Sequence, residues 1–456
     1  MDMNLLLGIN PRFIKRRNLI TFSLFLIYEI LLIYFGITGR TNYLILLVAP
    51  IGVFLSVKLR KYVFYMVLFL LITVPKVTGN VPNAPIKFPV LVIFILIIFS
   101  LFWEIFVNSD RNIGNLRNRK LLTFDIFYIV WLVALSYSFI FSLALDTTLK
   151  KTLYFLTLYL QSLGYIFGRC LLKSGDLKRI LPFLAILSGL IVSYYYIPRG
   201  NLIPSIARTQ TVITALFSAT FSIYILAFER PFLAIGGIIG IVTSIFAIMG
   251  SLTRTMWAAL FIGWLLSFGL LMLADDKRAK KRLLSLGTGG TISVLLGWFF
   301  LVQSKKGFFH KFMVKVIPLF LGREPTSVLM RKLDIVAIWK EVLKSPIWGH
   351  GVAAMHWAIW KHGPNATLDN GYLDILWHFG IVGFIGLFGL MIYVLLVGVK
   401  RFKESKDIVP FFAVVSTVEI LIASVAVAPF RYIPMFLYYI WLGMFVQEEE
   451  EHDGKR

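Results

Sequence analysis

The chain has 456 residues, of which 58% are hydrophobic and 16% aromatic, and its mean hydropathy is +0.82. About three soluble domains would be expected from the length alone, but this composition excludes that class of protein. The net charge of +23 favours anionic partners. Because membrane topology explains most of the short basic clusters, no nucleic-acid partner is expected.

Apolar runs recur along the chain, each long enough to cross about 30 Å of hydrocarbon as a helix. They predict an all-α polytopic membrane protein with about 12–14 transmembrane helices. Since the first run follows Arg16 and Arg17 and lacks a cleavage site, it is expected to remain as an anchor. The single cysteine, Cys170, lies within a run and excludes an intrachain disulfide. The predicted spans are residues 18–38, 41–57, 62–78, 88–107, 123–145, 153–172, 180–198, 211–228, 232–250, 256–274, 284–302, 380–399, 408–428 and 431–446.

Lys and Arg concentrate on the cytoplasmic loops of membrane proteins. Basic connections such as KLRKY and DDKRAKKR alternate here with weakly charged ones such as GRTN and SLTRT. This alternation predicts that both termini are cytoplasmic. It also predicts four regions, which are an N-terminal transmembrane bundle at 1–302, an external loop at 303–379, C-terminal transmembrane helices at 380–446 and a cytoplasmic tail at 447–456.

The external loop carries more basic than acidic residues, which is against the charge rule and indicates an anionic ligand or anionic lipid headgroups. After Pro325, the run TSVLMRKLDIVAIWKEVLKS predicts an amphipathic helix near the membrane surface. Arg331, Asp334 and Glu341 share one face of this helix, away from an apolar stripe through Trp339. An ordinary surface ion pair between Arg331 and Asp334 is the alternative interpretation.

A sharp turn is predicted in the next segment, SPIWGHG. Pro346 should end the helix, while Gly349 and Gly351 allow the backbone to come close to a ligand. Four histidines lie in this region, but their spacing lacks the HExxH pattern, so no metal site is expected.

The stretch TLDNGYLDILWHFGIVGFIG places Asp369 and Asn370 directly before an apolar helix. Gly380, Gly383, Gly386 and Gly389 then recur every third residue and predict close helix packing without a catalytic role.

With these motifs in this order, the chain resembles the bacterial O-antigen ligase and O-antigen polymerase family of membrane glycosyltransferases. The resemblance covers roughly residues 240–400 and includes an upstream external SLTRT. It implies a GT-C-like membrane fold in the bacterial inner membrane. It also implies an inverting transfer, without metal or cofactor, from an undecaprenyl-pyrophosphate-linked glycan to a glycan or lipid-linked acceptor.

The resemblance assigns the family's essential arginines to Arg254 of SLTRT and Arg331 of MRKLDIVAIW, and it places Asp369 where ligases often carry a histidine. Asp369 is therefore the candidate general base, with Asp334 and Glu341 as rivals. A helix N-terminal cap is an alternative role for Asp369. The candidate substrate-binding residues are Asn370, Arg323, Asp334, Gly349, Gly351, Tyr372 and Arg208.

Two other functions remain open at this point. A secondary transporter would also have many spans, and Glu29 and Glu419 lie near the middle of theirs. A flippase for lipid-linked glycans would also use basic residues, but it would need them in a central cavity. Within the family, the departure at Asp369 favours a polymerase slightly over a ligase.

Overall fold

The computed structural model describes residues 123–145, 159–171, 205–229, 231–250, 254–274, 279–282, 326–358, 363–365, 368–432 and 435–453, together with residues 152, 156 and 277. The predicted spans at 18–38, 41–57, 62–78, 88–107, 180–198 and 284–302 lie outside these residues. The helices are α1 (Thr123–Ala144), α2 (Gly164–Leu171), α3 (Ser205–Phe228), α4 (Pro231–Gly250), α5 (Arg254–Leu273), α6 (Thr326–Val342), α7 (Gly371–Ser405), α8 (Ile408–Ala423) and α9 (Met435–Asp453).

The all-α membrane class is confirmed. Three described helices are long and apolar enough to cross a membrane, within Thr123–Ala144, Thr255–Leu273 and Gly371–Ser405. Shorter apolar helices lie at Val212–Phe228, Ala234–Ile245, Ile408–Ala423 and Met435–Gln447. The described strands are one antiparallel pair in the loop, β1 (His356–Ala358) and β2 (Gly363–Asn365).

Helix α7 begins at Gly371, nine residues before the predicted span at 380–399, and includes a break at Gly380. Short 3-10 turns precede α2 at Leu160–Leu163 and connect α8 to α9 at Pro429–Arg431. Helix α9 continues to Asp453 through most of the acidic segment predicted as a tail.

The predicted glycine stripe of α7 packs against α1. A side chain at Gly386 would meet the Trp131 amide nitrogen at 2.6 Å, and one at Gly383 would meet Ala134 at 3.4 Å. These close approaches confirm the predicted packing role of Gly383 and Gly386, because any larger residue would force the helices apart. The other close pairs of helices are α2 with α9, α3 with α4, and α5 with α8.

Candidate functional site

Helix α6 is attached to the first turns of α7 by one narrow side. Ile338 and Val342 are buried against Leu373 and Trp377. The apolar stripe predicted through Trp339 faces away from this contact, since Trp339 is 47% exposed. The sequence period shows an apolar stripe through Trp339 and another through Ile338, but it does not show which of them packs against the rest of the protein. The exposed apolar side chains on α6 are Leu329, Leu333, Ile335, Val336 and Trp339, and Leu343 follows them.

Gly380 interrupts α7 with φ of 62° and ψ of −164°, a conformation open essentially to glycine alone. The break leaves the carbonyls of Trp377 and His378 without their usual helical donors. The amides of His350 and Gly351 replace those donors, with N···O distances of 2.8 and 3.3 Å. The loop turn therefore completes the hydrogen bonding of the interrupted helix.

The amides beyond the break are satisfied in the same way. Ile381 donates to the carbonyl of Pro346 at 2.8 Å, and Val382 donates to the carbonyl of Ile347 at 3.2 Å. Four backbone hydrogen bonds thus join the turn to the helix in both directions. The four α7 groups in these bonds are two carbonyls and two amides at the helix interruption. Each of them would cost free energy if it were buried and unpaired.

We call the paired segments 346–351 and 377–382 the helix-break clamp. Gly349 and Gly351 have φ of 72° and 91°, so both lie in the left-handed region. A side chain at Gly349 would meet the carbonyl carbon of His378 at 2.6 Å. The sequence predicted that the backbone at these glycines would come close to a ligand. In the structure it comes close to helix α7 of the same chain.

Helix α1 closes the clamp from the other side. Ser138 donates from its hydroxyl to the carbonyl of His378 at 3.0 Å. Ser142 accepts from the amide of Ala353 at 3.1 Å through its hydroxyl oxygen. No sequence pattern indicated these serines, because a lone serine in an apolar helix is common.

A buried polar cluster lies beneath the clamp. Arg431 donates to both oxygens of the Asp374 carboxylate, from Nε at 2.8 Å and from Nη2 at 2.5 Å. Tyr159 donates its hydroxyl to the same carboxylate at 2.9 Å. Nη2 of Arg431 also lies 2.5 Å from Nε2 of His378. Asp374 and His378 are fully buried, and Arg431 is 4% exposed.

Burial by itself lowers the pKa of the Arg431 guanidinium, but the adjacent Asp374 carboxylate and Tyr159 outweigh it, and the net pKa is raised. Arg431 is thus charged and paired. Its Nη1 has no hydrogen-bond partner among the described residues. Sequence reasoning missed this cluster, although an Asp and a His four residues apart in an apolar helix were a usable signal.

Asp369 is exposed, and Asn370, not Asp369, is the N-terminal cap of α7. Asn370 accepts from the amide of Leu373 at 3.0 Å and donates to the carbonyl of Val425 at 3.0 Å. Tyr372 donates to the carbonyl of Leu421 at 2.6 Å. The alternative of a capping role for Asp369 is therefore wrong, because the next residue holds that position.

The acidic rivals on α6 occupy different surroundings. Glu341 pairs with Lys344 at 2.6 Å, and its carbonyl bonds His350 Nε2 at 2.8 Å. Asp334 is half-buried. Among the described residues, no three of His, Cys, Asp or Glu gather in a way that could hold a metal ion. The side chains of Arg208, Arg254 and Arg331, and all of Arg323, lie outside the described residues.

Residues 239–388 match the model of a protein family described as O-antigen ligase. The match runs from α4 through α6 and the helix-break clamp into α7, and it includes Arg254, Arg331 and Asp369. It confirms the resemblance that the motifs indicated. No curated protein shows significant sequence similarity to the chain.

Proposed function

We propose, from the match of residues 239–388 to the O-antigen ligase family, that this chain is a glycosyltransferase of cell-surface polysaccharide biosynthesis. It transfers a glycan from undecaprenyl pyrophosphate to an acceptor sugar at the outer face of the bacterial inner membrane. The transfer inverts the anomeric centre and needs no metal. Polymerisation of a lipid-linked glycan is favoured over ligation because Asp369 occupies the position where ligases often carry a histidine.

One observation carries this proposal. Helix α6, which includes Arg331, packs on the first turns of α7, which begins two residues after Asp369. Arg331 precedes Ile338 by two helical turns, or about 10 Å at 1.5 Å per residue. The family's arginine position and the candidate base thus belong to a single packed unit at the start of α7.

The chemistry requires negative charge to be stabilised on the departing pyrophosphate. In the proposed reaction the acceptor hydroxyl oxygen bonds to the anomeric carbon, and the bond from that carbon to the phosphate oxygen breaks with its electron pair on the pyrophosphate. Fixed guanidinium groups suit this task, because arginine binds phosphate through two donors and stays charged. We assign this role to Arg254 and Arg331.

We propose that Asp369 is the general base, which accepts the proton of the acceptor hydroxyl. Its carboxylate is exposed and not used as the helix cap, so an acceptor arriving from water can reach it. Asp334, which is half-buried, and Glu341, which pairs with Lys344, are the rival bases. We also propose that Asn370, Tyr372, Arg208 and Arg323 contact substrate, while Gly349 and Gly351 act through the shape of the turn.

The topology predicted from charge belongs to the same proposal. Both termini are cytoplasmic, and the segment 303–379 lies outside. The transmembrane helices take a GT-C-like arrangement. The loop's excess of basic residues supports this orientation, because a site for a lipid pyrophosphate needs cations on the side where the reaction takes place.

The test uses the purified protein in nanodiscs with an undecaprenyl-pyrophosphate-linked oligosaccharide and no divalent metal. Glycan length and released undecaprenyl pyrophosphate are followed for the wild type, Arg254→Lys, Arg331→Lys and Asp369→Asn. The matched control is Lys340→Ala, an exposed cation on α6 that has no assigned role. Each arginine change should slow transfer about a hundredfold, the usual effect of removing one oxyanion donor, while the control should retain activity.

The products distinguish the remaining alternatives. A ladder of longer lipid-linked glycans would establish a polymerase. Carrier release only after a separate acceptor is added would establish a ligase. An intact donor and an unaltered glycan across several donors and acceptors would refute transfer and favour transport.

A further inference from the structure

We propose that Asp374, His378 and Arg431 are positioning residues, which hold the helix-break clamp and the segment carrying Asp369 in the geometry that glycan transfer requires. The kinetic part of this inference rests on the proposed function. The structural part rests on contacts alone. None of the three side chains is more than 4% exposed, so they act through the residues they hold.

The ring of His378 is fixed in one neutral tautomer by its two partners. Its Nδ1 lies 2.8 Å from the carbonyl oxygen of Gly351, which only accepts, so Nδ1 carries the hydrogen. Its Nε2 faces Nη2 of Arg431, which only donates, so Nε2 is the acceptor. His378 therefore links the guanidinium directly to the turn of the clamp.

Asp374 extends the same network to the candidate base. Its Oδ1 accepts from the amide of Leu368 at 3.3 Å, one residue before Asp369. The carboxylate is held in turn by Arg431 and by the hydroxyl of Tyr159. A single buried ion pair thus fixes both the approach to Asp369 and the turn at Gly351.

Arg431 reaches this position from the 3-10 turn between α8 and α9. Its Cζ lies 5.3 Å from the centroid of the Tyr159 ring, a distance at which a cation and an aromatic face attract. Its carbonyl accepts from the side-chain amide of Gln161 at 3.4 Å. Arg431 thereby ties the turn between the C-terminal helices to the external loop.

Two substitutions at one position separate the two bonds of His378. In His378→Asn the amide nitrogen overlies Nδ1 and can still donate to Gly351, while the bond to Arg431 is lost. In His378→Gln the amide oxygen overlies Nε2 and can still accept from Arg431, while the bond to Gly351 is lost. Arg431→Lys keeps the charge but loses the two-pronged contact with Asp374.

The matched control is Arg169→Lys, which weakens a different buried arginine–aspartate pair. Arg169 pairs with Asp125 and bonds the hydroxyl of Tyr165 at 3.1 Å. This pair joins α1 to α2 and makes no contact with the clamp among the described contacts. A general effect of weakening a buried ion pair would appear in this variant as well.

The experiment compares amide hydrogen exchange at His350 and Gly351 with the rate of glycan transfer, for each variant in nanodiscs. We expect His378→Gln and Arg431→Lys to lower the protection of both amides and to reduce kcat about tenfold, as for one buried hydrogen bond. The KM for the donor should stay close to that of the wild type, because the cluster does not touch substrate. His378→Asn keeps the bond to Gly351 but loses the link to Arg431, so it should show a smaller loss of protection and kcat than His378→Gln. Arg169→Lys should retain both.

If His378→Gln and Arg431→Lys fold and keep wild-type protection, the buried cluster does not hold the helix-break clamp, and the proposal fails. Lost protection with unchanged kcat would refute a role of the buried cluster in transfer. Equal losses in Arg169→Lys would mean that the cluster contributes only to general stability. If the wild type transfers no glycan, the proposed function and the kinetic part fail together. In that case the exchange data alone still test whether the buried cluster holds the helix-break clamp.

Discussion

Gly380→Ala is expected to open the helix-break clamp. Alanine at φ of 62° and ψ of −164° carries a backbone strain of about 1–3 kcal/mol. Its β-carbon would also overlap the carbonyl of Ile347 and lie 2.6 Å from the amide nitrogen of Gly349. If the turn is expelled, the buried backbone groups lose their partners at about 1–3 kcal/mol each. The strain alone should therefore cost the closed clamp about 1–3 kcal/mol relative to the open one, or about 5- to 150-fold in population, and the overlap adds to this cost.

Gly269→Ala is the control for this prediction. A side chain at Gly269 would meet no atom within 4 Å, and an interior helical glycine replaced by alanine gains about 0.5–1 kcal/mol. Hydrogen exchange at Ile381 and Val382, thermal stability in nanodiscs and glycan transfer would be measured for both variants. Fast exchange and lost transfer are expected only for Gly380→Ala. If that variant exchanges as slowly as the wild type, the clamp does not depend on the glycine and the reasoning fails.

Three further predictions follow from the site and its surroundings. Asp369→His should retain most of the transfer activity, whereas the transfer rate of Asp369→Asn should fall about a hundredfold, the usual contribution of a general base. Equal initial rates for Asp369→Asn and the wild type would exclude Asp369 as the base. Val336→Cys in a Cys170→Ser chain, labelled with a fluorophore, should be quenched by lipid-borne agents because Val336 is 56% exposed on the apolar side of α6; stronger quenching by aqueous agents would place this surface in water. Glu419→Gln should leave transfer unchanged, because an amide can still bond Thr220, which contacts both oxygens of Glu419 at 3.1 Å; abolished ion-coupled flux in proteoliposomes would instead support the transporter alternative.

Much of the helical framework could be predicted from hydropathy. The apolar runs at 123–145, 211–228, 232–250 and 256–274 all correspond to described helices. The helix after Pro325 was also predicted from its period and its start signal. These features are local, because a membrane span must be apolar over its whole length and must satisfy its own backbone hydrogen bonds.

The helix break at Gly380 could not be predicted from its motif. The repeat of glycines looked like one continuous packing stripe, and three of its four members are such a stripe. Gly380 differs only because residues 346–351 supply the hydrogen bonds that the broken helix lacks. That compensation comes from about thirty residues away and leaves no periodic signal.

The sequence by itself determined the membrane class, most of the described helices, the order of the motifs and the similarity of residues 239–388 to the O-antigen ligase family, because each depends on residues that are near one another in the chain. Only the tertiary structure decided that Asn370 caps α7 and that α6 meets protein through Ile338. It alone also paired Arg431 with Asp374, residues 57 positions apart. Buried charges must find partners wherever the fold brings them, so such a pair is determined by packing and not by spacing.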